Sequence, residues 1–461
     1  MKALWTSNEI AAATGGVASA PFEVTGVTFD SREVGPGDLF VAMPGTVHDG
    51  HKFVEQALAQ GAAGVIVSQP AAGPHVLVED TFAALEALGH ASRARSRATI
   101  VGVTGSVGKT STKEALYAAL DRNRPGKVHR SVKSYNNHTG VPLSLARMPR
   151  DAEFAVLEMG MNNLGEIAAL TRQVRPHLAL ITAIAPAHIE NLGSMEAIAD
   201  AKGEIFEGLE SQGVAIVPNG TPQRDRLVRV ARRHADRIIT FGSGDADVHA
   251  MHAVTAEGGG SLISAALLER ELTFTISQPG EHWVSNALGV LAAVEALGED
   301  VAVAGLALAD LGGLKGRGER HVVEVSGGEV LLIDESYNAN PASMAATLKS
   351  LGQERDVARR IAVLGPMREL GEHSSELHAG LAPAIVDAHV DQLILIGDEM
   401  RPLAEQVVGK ISLDLVGGVE EATEALVRTL RPGDAVLVKA SNSVGLAKLV
   451  EQVAGGLACS T

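Results

Sequence analysis

The stretch that decides the fold is IVGVTGSVGKTSTKEAL, which occupies residues 100–116. Its first part is typical of a buried strand and its last part of a helix, with a glycine-containing turn between them. The turn consists of Gly105, Ser106, Val107, Gly108, Lys109 and Thr110, and Ser111 follows it. In such a loop the backbone N–H groups surround phosphate oxygens, the lysine reaches the outer phosphates, and the threonine ligates Mg²⁺. The pattern predicts a site for ATP or a related nucleotide.

The loop is a shortened variant of the common phosphate-loop consensus. That consensus has a glycine five residues before Gly108, where this chain has Val103. The alternative interpretation is an ordinary strand-to-helix turn in which Gly-Lys-Thr occurs by chance. The predicted strand before the turn and helix after it favour the nucleotide site.

Outward from this loop, apolar strands alternate with helical periods. Between about residues 100 and 318 the strand candidates are IVGVT, FAVLE, LALITAI, VAIVP and RIITFG, which predict parallel strands joined by crossovers. Residues 24–68 predict a smaller α/β unit. After GGLKGRGER (312–320), the runs VLLID, IAVLG, LILIG and AVLVK predict a second nucleotide-binding-type sheet.

The sequence therefore predicts an α/β protein of three domains. We expect a small N-terminal α/β domain over residues 1–98, a central parallel-sheet ATPase domain over 99–318, and a C-terminal Rossmann-like domain over 319–461. A chain of 461 residues with 46% hydrophobic content is long enough for three cores.

Composition restricts the class of protein. The net charge of -16 argues against a nucleic-acid partner, since phosphate backbones are bound through clustered Lys and Arg. The single cysteine, Cys459, cannot form an intramolecular disulfide, which fits a reducing compartment. The opening MKALWTSNEIAAATGG has no apolar core of signal-peptide length, and no later segment is apolar enough to span a bilayer. We expect a cytoplasmic protein without membrane insertion.

Two strand ends carry candidate metal ligands. Glu158 ends the run FAVLE, where a carboxylate beside a phosphate loop is well placed for Mg²⁺. His188 follows the run LALITAI and offers a ring nitrogen. The alternatives are a solvated strand-end acid for Glu158 and a hydrogen-bonding loop residue for His188.

Lys202 has an unusual predicted position. Met195, Ile198, Ile205 and Leu209 keep helical spacing, and Lys202 falls within the same apolar stripe. A buried ammonium must pair with acids, lose its proton or be chemically modified. The alternative is a lysine whose ammonium reaches solvent at the edge of the helix.

Taken together, these motifs resemble the Mur ligases, ATP-dependent amino acid ligases of peptidoglycan synthesis. Seven segments occur in the family's order: TGSVGKTSTK, YNNHTGVPLSL, LEMGMNNLGEIAALT, APAHIENLGSMEAIADAKGEIF, GEHWVSNALGVLAA, LKGRGER and LIDESYNANP. NNHTGVP, EMGMNNLGEI and DESYNANPASM, with DSREVGPGDLFVAMPG and DGHKF near the N-terminus, look most like the branch that uses D-alanyl-D-alanine.

The resemblance implies a role for each matching residue. Lys109 and Thr110 would serve the phosphates and Mg²⁺, Glu158 and His188 would complete the metal site, and Lys202 matches a lysine carried as a carbamate. Lys109, Lys202 and His188 would therefore act in catalysis. Asn286 and Arg317 match ATP contacts, and Asp334, Asn338 and Asn340 match the nucleotide-facing junction between the central and C-terminal domains. Ser31 and Arg32 match the residues at the uridine-diphosphate end of the substrate. The loop that binds the muramoyl part of the substrate is matched by Asn136, Asn137 and Thr139.

Two segments depart from the family pattern. Pro366 stands where the family commonly has Asp, and Ala440 and Asn442 stand where it commonly has Gly and Arg. Both segments belong to the predicted C-terminal domain, which in this family presents the incoming amine. Lys439, Ser441 and Asn442 are the candidates for binding the terminal carboxylate of that substrate.

The implied activity is ATP-dependent ligation of D-alanyl-D-alanine to UDP-N-acetylmuramoyl-tripeptide through an acyl phosphate, by an enzyme that we expect to be monomeric. The alternatives are a sister ligase that adds one amino acid and a folylpolyglutamate-type ligase. From other classes, a phosphate-loop switch or a non-catalytic UDP-sugar binder is also open. A GTPase switch should carry Asn-Lys-x-Asp, which this sequence lacks. The third peptide residue and the carbamylation state of Lys202 are left open.

Overall fold

The structure is a computed structural model that describes residues 3–45, 49–256 and 260–455. Cys459 lies outside these ranges. Three helix-flanked β-sheets follow one another along the described chain, with five, nine and six strands. A two-stranded ribbon lies in the same part of the chain as the first sheet. The predicted α/β class is confirmed. The three domain boundaries stay predictions.

The first sheet is small and mixed, in the order β2-β7-β6-β5-β4. The strands of this region are β1 (Trp5–Thr6), β2 (Val17–Ala18), β3 (Glu23–Val24), β4 (Gly26–Thr28), β5 (Asp38–Val41), β6 (Gly64–Val67) and β7 (His75–Leu77). Its helices are α1 (Ser7–Thr14), α2 (Val54–Ala59) and α3 (Thr81–Arg95), with a 3₁₀ turn at Gly50–Phe53. Asp80 caps α3 by accepting from the N–H groups of Phe82 and Ala83.

The second sheet contains the phosphate loop. Its strands are β8 (Thr99–Thr104), β9 (Val128–Arg130), β10 (Phe154–Glu158), β11 (Leu178–Ile181), β12 (Val214–Pro218), β13 (Arg237–Gly242), β14 (Val248–Thr255), β15 (Ser261–Ala266) and β16 (Glu271–Ile276). Its helices are α4 (Lys109–Asn123), α5 (Gly140–Ala146), α6 (Glu166–Val174), α7 (Ile189–Leu192), α8 (Met195–Gly203), α9 (Arg224–Ala231), α10 (Glu281–Ala296) and α11 (Val301–Asp310), with a 3₁₀ turn at Glu204–Gly208.

The sequence predicted five parallel strands of this sheet, β8 and β10 to β13, but neither the edge strand β9 nor the extension from β14 to β16. The order is β16-β15-β14-β13-β12-β11-β8-β10-β9, and every pairing from β9 to β14 is parallel, whereas β14, β15 and β16 are antiparallel. The extension lacks the continuous apolar runs of the buried strands, since Met251, Val254 and Leu262 are exposed. A search for fully apolar runs therefore missed it.

The third sheet follows the junction near residue 318. Its strands are β17 (Glu319–Val325), β18 (Gly328–Glu335), β19 (Arg359–Leu364), β20 (Gln392–Ile396), β21 (Ser412–Val416) and β22 (Asp434–Lys439), in the order β17-β18-β22-β19-β20-β21. Its helices are α12 (Pro341–Gly352), α13 (Ser374–Ala379), α14 (Ala382–Asp387), α15 (Arg401–Val407), α16 (Val419–Thr429) and α17 (Ala447–Ala454), with 3₁₀ turns at Gly371–His373, Asp398–Met400 and Asn442–Val444. All pairings are parallel except that of β17 with β18.

Apolar side chains cover both faces of the second sheet. One buried cluster unites Leu116 of α4 with Leu291 of α10, and the other unites Ile167 of α6 with Ile205 and Phe206. Since helices lie on both faces, the strands are apolar throughout, which is why they were detectable from sequence. Ligands bind such sheets at the carboxyl ends of the strands.

The first sheet is joined firmly to the second through α5. The Trp5 indole N–H donates to the carbonyl oxygen of Ala146 over 2.9 Å, and the Arg147 guanidinium donates to the carbonyl oxygen of Val27 over 2.8 Å. Leu143 of α5 belongs to the same apolar cluster as the first sheet. Among the described residues, no helix has both the length and the apolar composition needed to cross a bilayer.

Candidate active site between the second and third sheets

A cavity of about 450 Å³ lies where the carboxyl ends of the second and third sheets meet. Most residues predicted for the site line this cavity. They are Ser106, Val107, Gly108, Lys109, Thr110, Ser111, Asn136, Asn137, Glu158, His188, Asn286, Arg317, Asn338, Asn340 and Lys439. The arrangement brings together residues from three widely separated parts of the chain.

The phosphate loop has a backbone that only glycine adopts easily at two positions. Gly105 has φ of 145° and Gly108 has φ of 82°. A Cβ atom on Gly105 would lie 2.0 Å from Oγ1 of Thr182, and one on Gly108 would lie 3.0 Å from Oδ1 of Asn286. The Lys109 ammonium donates to the carbonyl oxygen of Gly105 over 2.7 Å, so it already curls over the loop. Burial lowers the pKa of Lys109, Arg317 adds to this effect, and Glu158 opposes it.

Replacing Gly105 by alanine is expected to weaken ATP binding by roughly tenfold or more, because a clash at the loop forces the phosphate-facing N–H groups out of place. Gly126 is the matched control, since it has φ of 72° but open space around the Cβ position. Gly126→Ala should cost about 1–2 kcal/mol of stability without affecting nucleotide affinity. Calorimetric titration with ATP measures both variants, and equal affinities would contradict the steric argument.

Glu158 is the organising acid of the cavity. It is 1% exposed and ends β10 beside the loop. Its Oε2 accepts from the Thr110 hydroxyl over 3.0 Å, and its Oε1 accepts from the Asn136 amide over 2.7 Å. The Glu158 N–H donates to the Ser131 hydroxyl over 2.9 Å. The carboxylate therefore joins the phosphate loop to the predicted substrate loop.

His188 faces an acid that sequence analysis did not identify. Nδ1 of His188 lies 2.5 Å from Oε2 of Glu369, which follows β19 of the third sheet. The interaction with His188 lowers the pKa of Glu369, burial opposes this, and Lys109 adds to it. Glu369 lies in a loop after the predicted strand IAVLG, so the strand-end argument that selected Glu158 offered a signal for it as well.

Lys202 is buried, as its helical position predicted. Its side chain is 0% exposed, and no hydrogen-bond partner for its Nζ occurs among the described residues. Burial lowers the pKa of Lys202 well below the ordinary lysine value, and Lys109 lowers it further. Lys202 is not among the residues that line the cavity.

The side chains beside the loop suit a hard cation. A carboxylate, a hydroxyl and an imidazole come from Glu158, Thr110 and His188. The buried Lys202 nitrogen has no hydrogen-bond partner in the part of the chain that the structure describes. Mg²⁺ takes few protein ligands and completes its shell with phosphate oxygens and water. Within the described ranges, the one group of three close His, Asp or Glu ligands lies elsewhere and comprises Glu319, His321 and Asp334.

The wall from the third sheet combines a cation, an aromatic ring and an ion pair. The Arg317 guanidinium carbon lies 4.1 Å from the centroid of the Tyr337 ring. The Lys439 ammonium, 2% exposed, donates to Oε2 of Glu335 over 3.2 Å and to the carbonyl oxygen of Asn338 over 2.9 Å. These groups line the same cavity as the phosphate loop.

Asp334 is held by the loop that carries Arg317. It is 1% exposed, and its carboxylate oxygens accept from the N–H groups of Gly316 and Ser336 over 2.8 and 3.0 Å. It is not among the residues that line the cavity. In this structure Asp334 shapes the loop that presents Arg317. Asn340 caps α12 by accepting from the Ser343 N–H.

The two predicted substrate loops lie against each other. Glu33 forms an ion pair with Lys133, and the rings of Phe29 and Tyr135 have centroids 5.5 Å apart. The neighbouring Ser31 and Arg32 lie outside the main cavity, as does Thr139, whose hydroxyl donates to Oδ1 of Asn137 over 2.9 Å. Arg32 is exposed and its guanidinium pairs with Asp30. A ligand that reached from Arg32 to Asn136 would cross this contact.

Ser441 and Asn442 do not line the main cavity. The Ser441 hydroxyl accepts from the Arg368 N–H over 2.9 Å, and Asn442 is exposed. A second depression of about 420 Å³, which contains Pro366 and Arg368, opens at the carboxyl ends of β19 to β22.

Sequence reasoning missed several cavity residues. These are Ser134, Gly160, Met161, Asn162, Glu166, Thr182, Ala183, His282, Trp283, Ser285, Gly316, Glu335, Tyr337, Ala342, Ser343, Ala346 and Thr347. Some of these residues lie inside the motifs GEHWVSNALGVLAA and LIDESYNANP, and that membership was the sequence signal that could have identified them. Residues such as Ala346 have no reactive or charged side chain, so the sequence offered no signal for them.

Comparison with known proteins agrees with this architecture. Three family models match the chain: the Mur ligase family catalytic domain at residues 23–120, the Mur ligase middle domain at 103–294, and the Mur ligase glutamate ligase domain at 316–442. A UDP-N-acetylmuramoyl-tripeptide–D-alanyl-D-alanine ligase from Rickettsia prowazekii is 32% identical, over 97% of this chain and 99% of that protein. The ligase of the same name from Synechocystis is 36% identical, over 94% of this chain and 93% of its own.

Solved structures match over nearly the whole length. MurF from Acinetobacter baumannii has a TM-score of 0.84 and 30% sequence identity, covering 98% of this chain and 99% of its own. MurF from Thermotoga maritima in complex with ADP has a TM-score of 0.77 and 28% identity, covering 94% of this chain and 98% of its own. Because these three family models together match most of the chain and full-length relatives are 30% or more identical to it, the chain belongs to the Mur ligase family.

Proposed function

We propose that the chain is the ATP-dependent ligase that joins D-alanyl-D-alanine to UDP-N-acetylmuramoyl-tripeptide, yielding the pentapeptide precursor of peptidoglycan. Its relatives from Rickettsia and Synechocystis carry that activity in their names and align over almost all of the chain. The observation that carries the proposal is one cavity that holds Lys109 and Thr110 beside Glu158, together with Arg317 and Lys439.

The reaction must turn a carboxylate, which is a poor electrophile, into a good one. A carboxylate oxygen of the tripeptide attacks the terminal phosphorus of ATP and ADP leaves, giving an acyl phosphate. The dipeptide amine then attacks the carbonyl carbon and loses a proton, and inorganic phosphate leaves from the tetrahedral intermediate. Negative charge gathers on phosphoryl oxygens in both steps, so fixed cations near the loop stabilise both transition states.

Each wall of the cavity has a separate task in this proposal. The N–H groups of the loop and Lys109 hold the phosphates, and Arg317, which lines the same cavity, also approaches them. Asn286 lies beside Gly108 and restricts the loop's shape. Bound Mg²⁺ would neutralise phosphate charge, with Thr110, Glu158 and His188 as its protein contacts. Asn338 and Asp334 remain proposed nucleotide contacts, and Asp334 also shapes the loop that carries Arg317.

Lys202 fits a carbamate because burial lowers the pKa of its amine, and the unprotonated amine is the form that reacts with CO₂. The nitrogen attacks CO₂, a C–N bond forms and one proton leaves, so the side chain becomes an anion. An anion close to Lys109 also reverses the repulsion that now lowers the pKa of Lys202. We therefore propose that carbamylated Lys202 supports the metal site.

The substrates would enter from two sides. The UDP end would lie near Ser31 and Arg32, with the peptide passing Asn136, Asn137 and Thr139 toward Glu158. The dipeptide would come from the third sheet, with Lys439, Ser441 and Asn442 as candidates for its carboxylate. Contact across the cleft would exclude water, which hydrolyses acyl phosphates. We propose that the protein is a cytoplasmic monomer.

Phosphate release from ATP tests the proposal. Phosphate release should be slow when UDP-N-acetylmuramoyl-tripeptide is the only substrate besides ATP. It should rise strongly when D-Ala-D-Ala is added. A panel of single amino acids, including diaminopimelate, lysine and glutamate, should give little release. Faster release with one of them, and not with the dipeptide, would identify a sister ligase instead. Release with neither would contradict ligase activity.

A further inference from the structure

We infer that Glu369 is a positioning residue for His188, so that a residue beside the third sheet completes the metal-nucleotide site of the second. The inference rests on the proposed function, because it assumes that a metal-bound nucleotide occupies the main cavity. The carrying observation is the 2.5 Å separation between Nδ1 of His188 and Oε2 of Glu369 across the cleft.

The loop that carries Glu369 is tied to the third sheet immediately before it. The Met367 N–H donates to Nε2 of His378 over 2.9 Å, and the Arg368 N–H donates to the Ser441 hydroxyl over 2.9 Å. His378 is fully buried, and its Nδ1 lies 2.7 Å from the carbonyl oxygen of Ser374. The position of Glu369 therefore follows that of the third sheet.

On the far side, the loop touches the segment that follows His188. A Cβ atom on Gly371 would lie 3.1 Å from Cγ of Glu190, and the Glu190 N–H points to the carbonyl oxygen of Glu369 over 3.5 Å. His188 has φ of 59° and Glu369 has φ of 63°. Non-glycine residues keep such left-handed backbones only where surrounding contacts enforce them. Both partners thus have strained backbones at the point where the two sheets meet.

The ion pair contributes little to stability, because the Glu369 side chain is 48% exposed and the His188 side chain 21%. The geometry of the pair instead serves to orient the His188 ring. A histidine that binds a metal through one ring nitrogen usually directs the other to a carboxylate, which fixes the ring. Since Nδ1 faces Glu369, Nε2 is the nitrogen left for a metal. The site is therefore complete only when the sheet that presents the incoming amine is docked.

Mn²⁺ binding in the presence of ADP tests this inference without depending on turnover. Titration calorimetry of Glu369→Gln should show Mn²⁺ affinity reduced by roughly 10- to 100-fold relative to the unaltered chain. Glu369→Asp, which keeps the carboxylate, should recover part of the loss. Glu372→Gln is the matched control, since Glu372 is exposed in the same loop, and its Mn²⁺ affinity should be unchanged.

A double-mutant cycle separates positioning from a direct role in metal binding or a general effect of charge. In a His188→Asn background, where asparagine tolerates the left-handed backbone, Glu369→Gln should cause no further loss. An equal loss in both backgrounds would mean that Glu369 acts on the metal directly, and would overturn the inference. So would unchanged Mn²⁺ affinity in folded Glu369→Gln. If the unaltered chain binds no Mn²⁺ with ADP, the proposed function itself fails.

Discussion

Replacing Lys109 by alanine is expected to lower ATP-dependent phosphate release by several orders of magnitude while the protein still folds. The ammonium lies over the phosphate loop, 2.7 Å from the carbonyl oxygen of Gly105, and lines the cavity. Losing one preorganised electrostatic contact costs roughly 10²–10³-fold in turnover. Here the same contact would act in both chemical steps. Folding should be preserved because Lys109 begins α4 and alanine is a strong helix former.

The measurement is kcat for phosphate release, with thermal unfolding as the check on folding. Lys127→Ala is a suitable control, because Lys127 is on the surface and pairs with Asp151. Its turnover should stay close to that of the unaltered chain. Turnover of Lys109→Ala within about tenfold of normal would contradict the assignment of the loop to the transferred phosphate.

Replacing Lys202 by alanine is expected to cause a comparably large loss, by roughly 10²-fold or more. The reason is chemical as well as electrostatic, since the buried amine, whose pKa burial lowers, is where CO₂ would install an anion near Lys109. Lys202→Met should lose as much activity while it fills the space of the side chain. This pair separates lost chemistry from a packing defect.

Bicarbonate provides an independent test of the modification. In CO₂-depleted buffer the unaltered chain should lose activity and regain it when bicarbonate is added. With ¹³C-bicarbonate, a carbamate resonance should be present in the unaltered chain and in Lys410→Ala, whose lysine is on the surface, and absent in Lys202→Ala. Near-normal ligation by a folded Lys202→Ala variant would remove Lys202 from the site. If activity does not depend on CO₂, only the proposed carbamylation of Lys202 is excluded, and the lysine itself can still belong to the site.

Sequence patterns predicted features that depend on neighbours in the chain. The loop from Gly105 to Thr110 follows a buried strand and precedes a helix, and the structure has both. FAVLE is a strand that ends at Glu158, with the predicted bounds. Lys202 is buried as the helical spacing indicated, although the α-helix ends at Gly203 and becomes a 3₁₀ turn, so Leu209 lies beyond both.

The surroundings of Asp334, Ser441 and Asn442 could be known only from the tertiary structure. Whether Asp334 faces a ligand or its own backbone depends on how the Gly316 loop folds against it, and both its oxygens proved to be occupied. Ser441 and Asn442 adjoin the buried Lys439 in sequence, yet the chain turns after β22, and Asn442 is exposed. Single-residue chemistry cannot distinguish these outcomes, because the same side chain suits either role.

By itself, then, the sequence determined the class of fold, the phosphate loop, the acid at the end of β10 and the inward lysine, since each follows from the periodicity and chemistry of a continuous segment. Only the tertiary structure decided that Glu369 meets His188 and that Arg317 and Lys439 share one cavity with Lys109. Those contacts join residues of different sheets, and their distances depend on how the sheets dock, which no local pattern encodes.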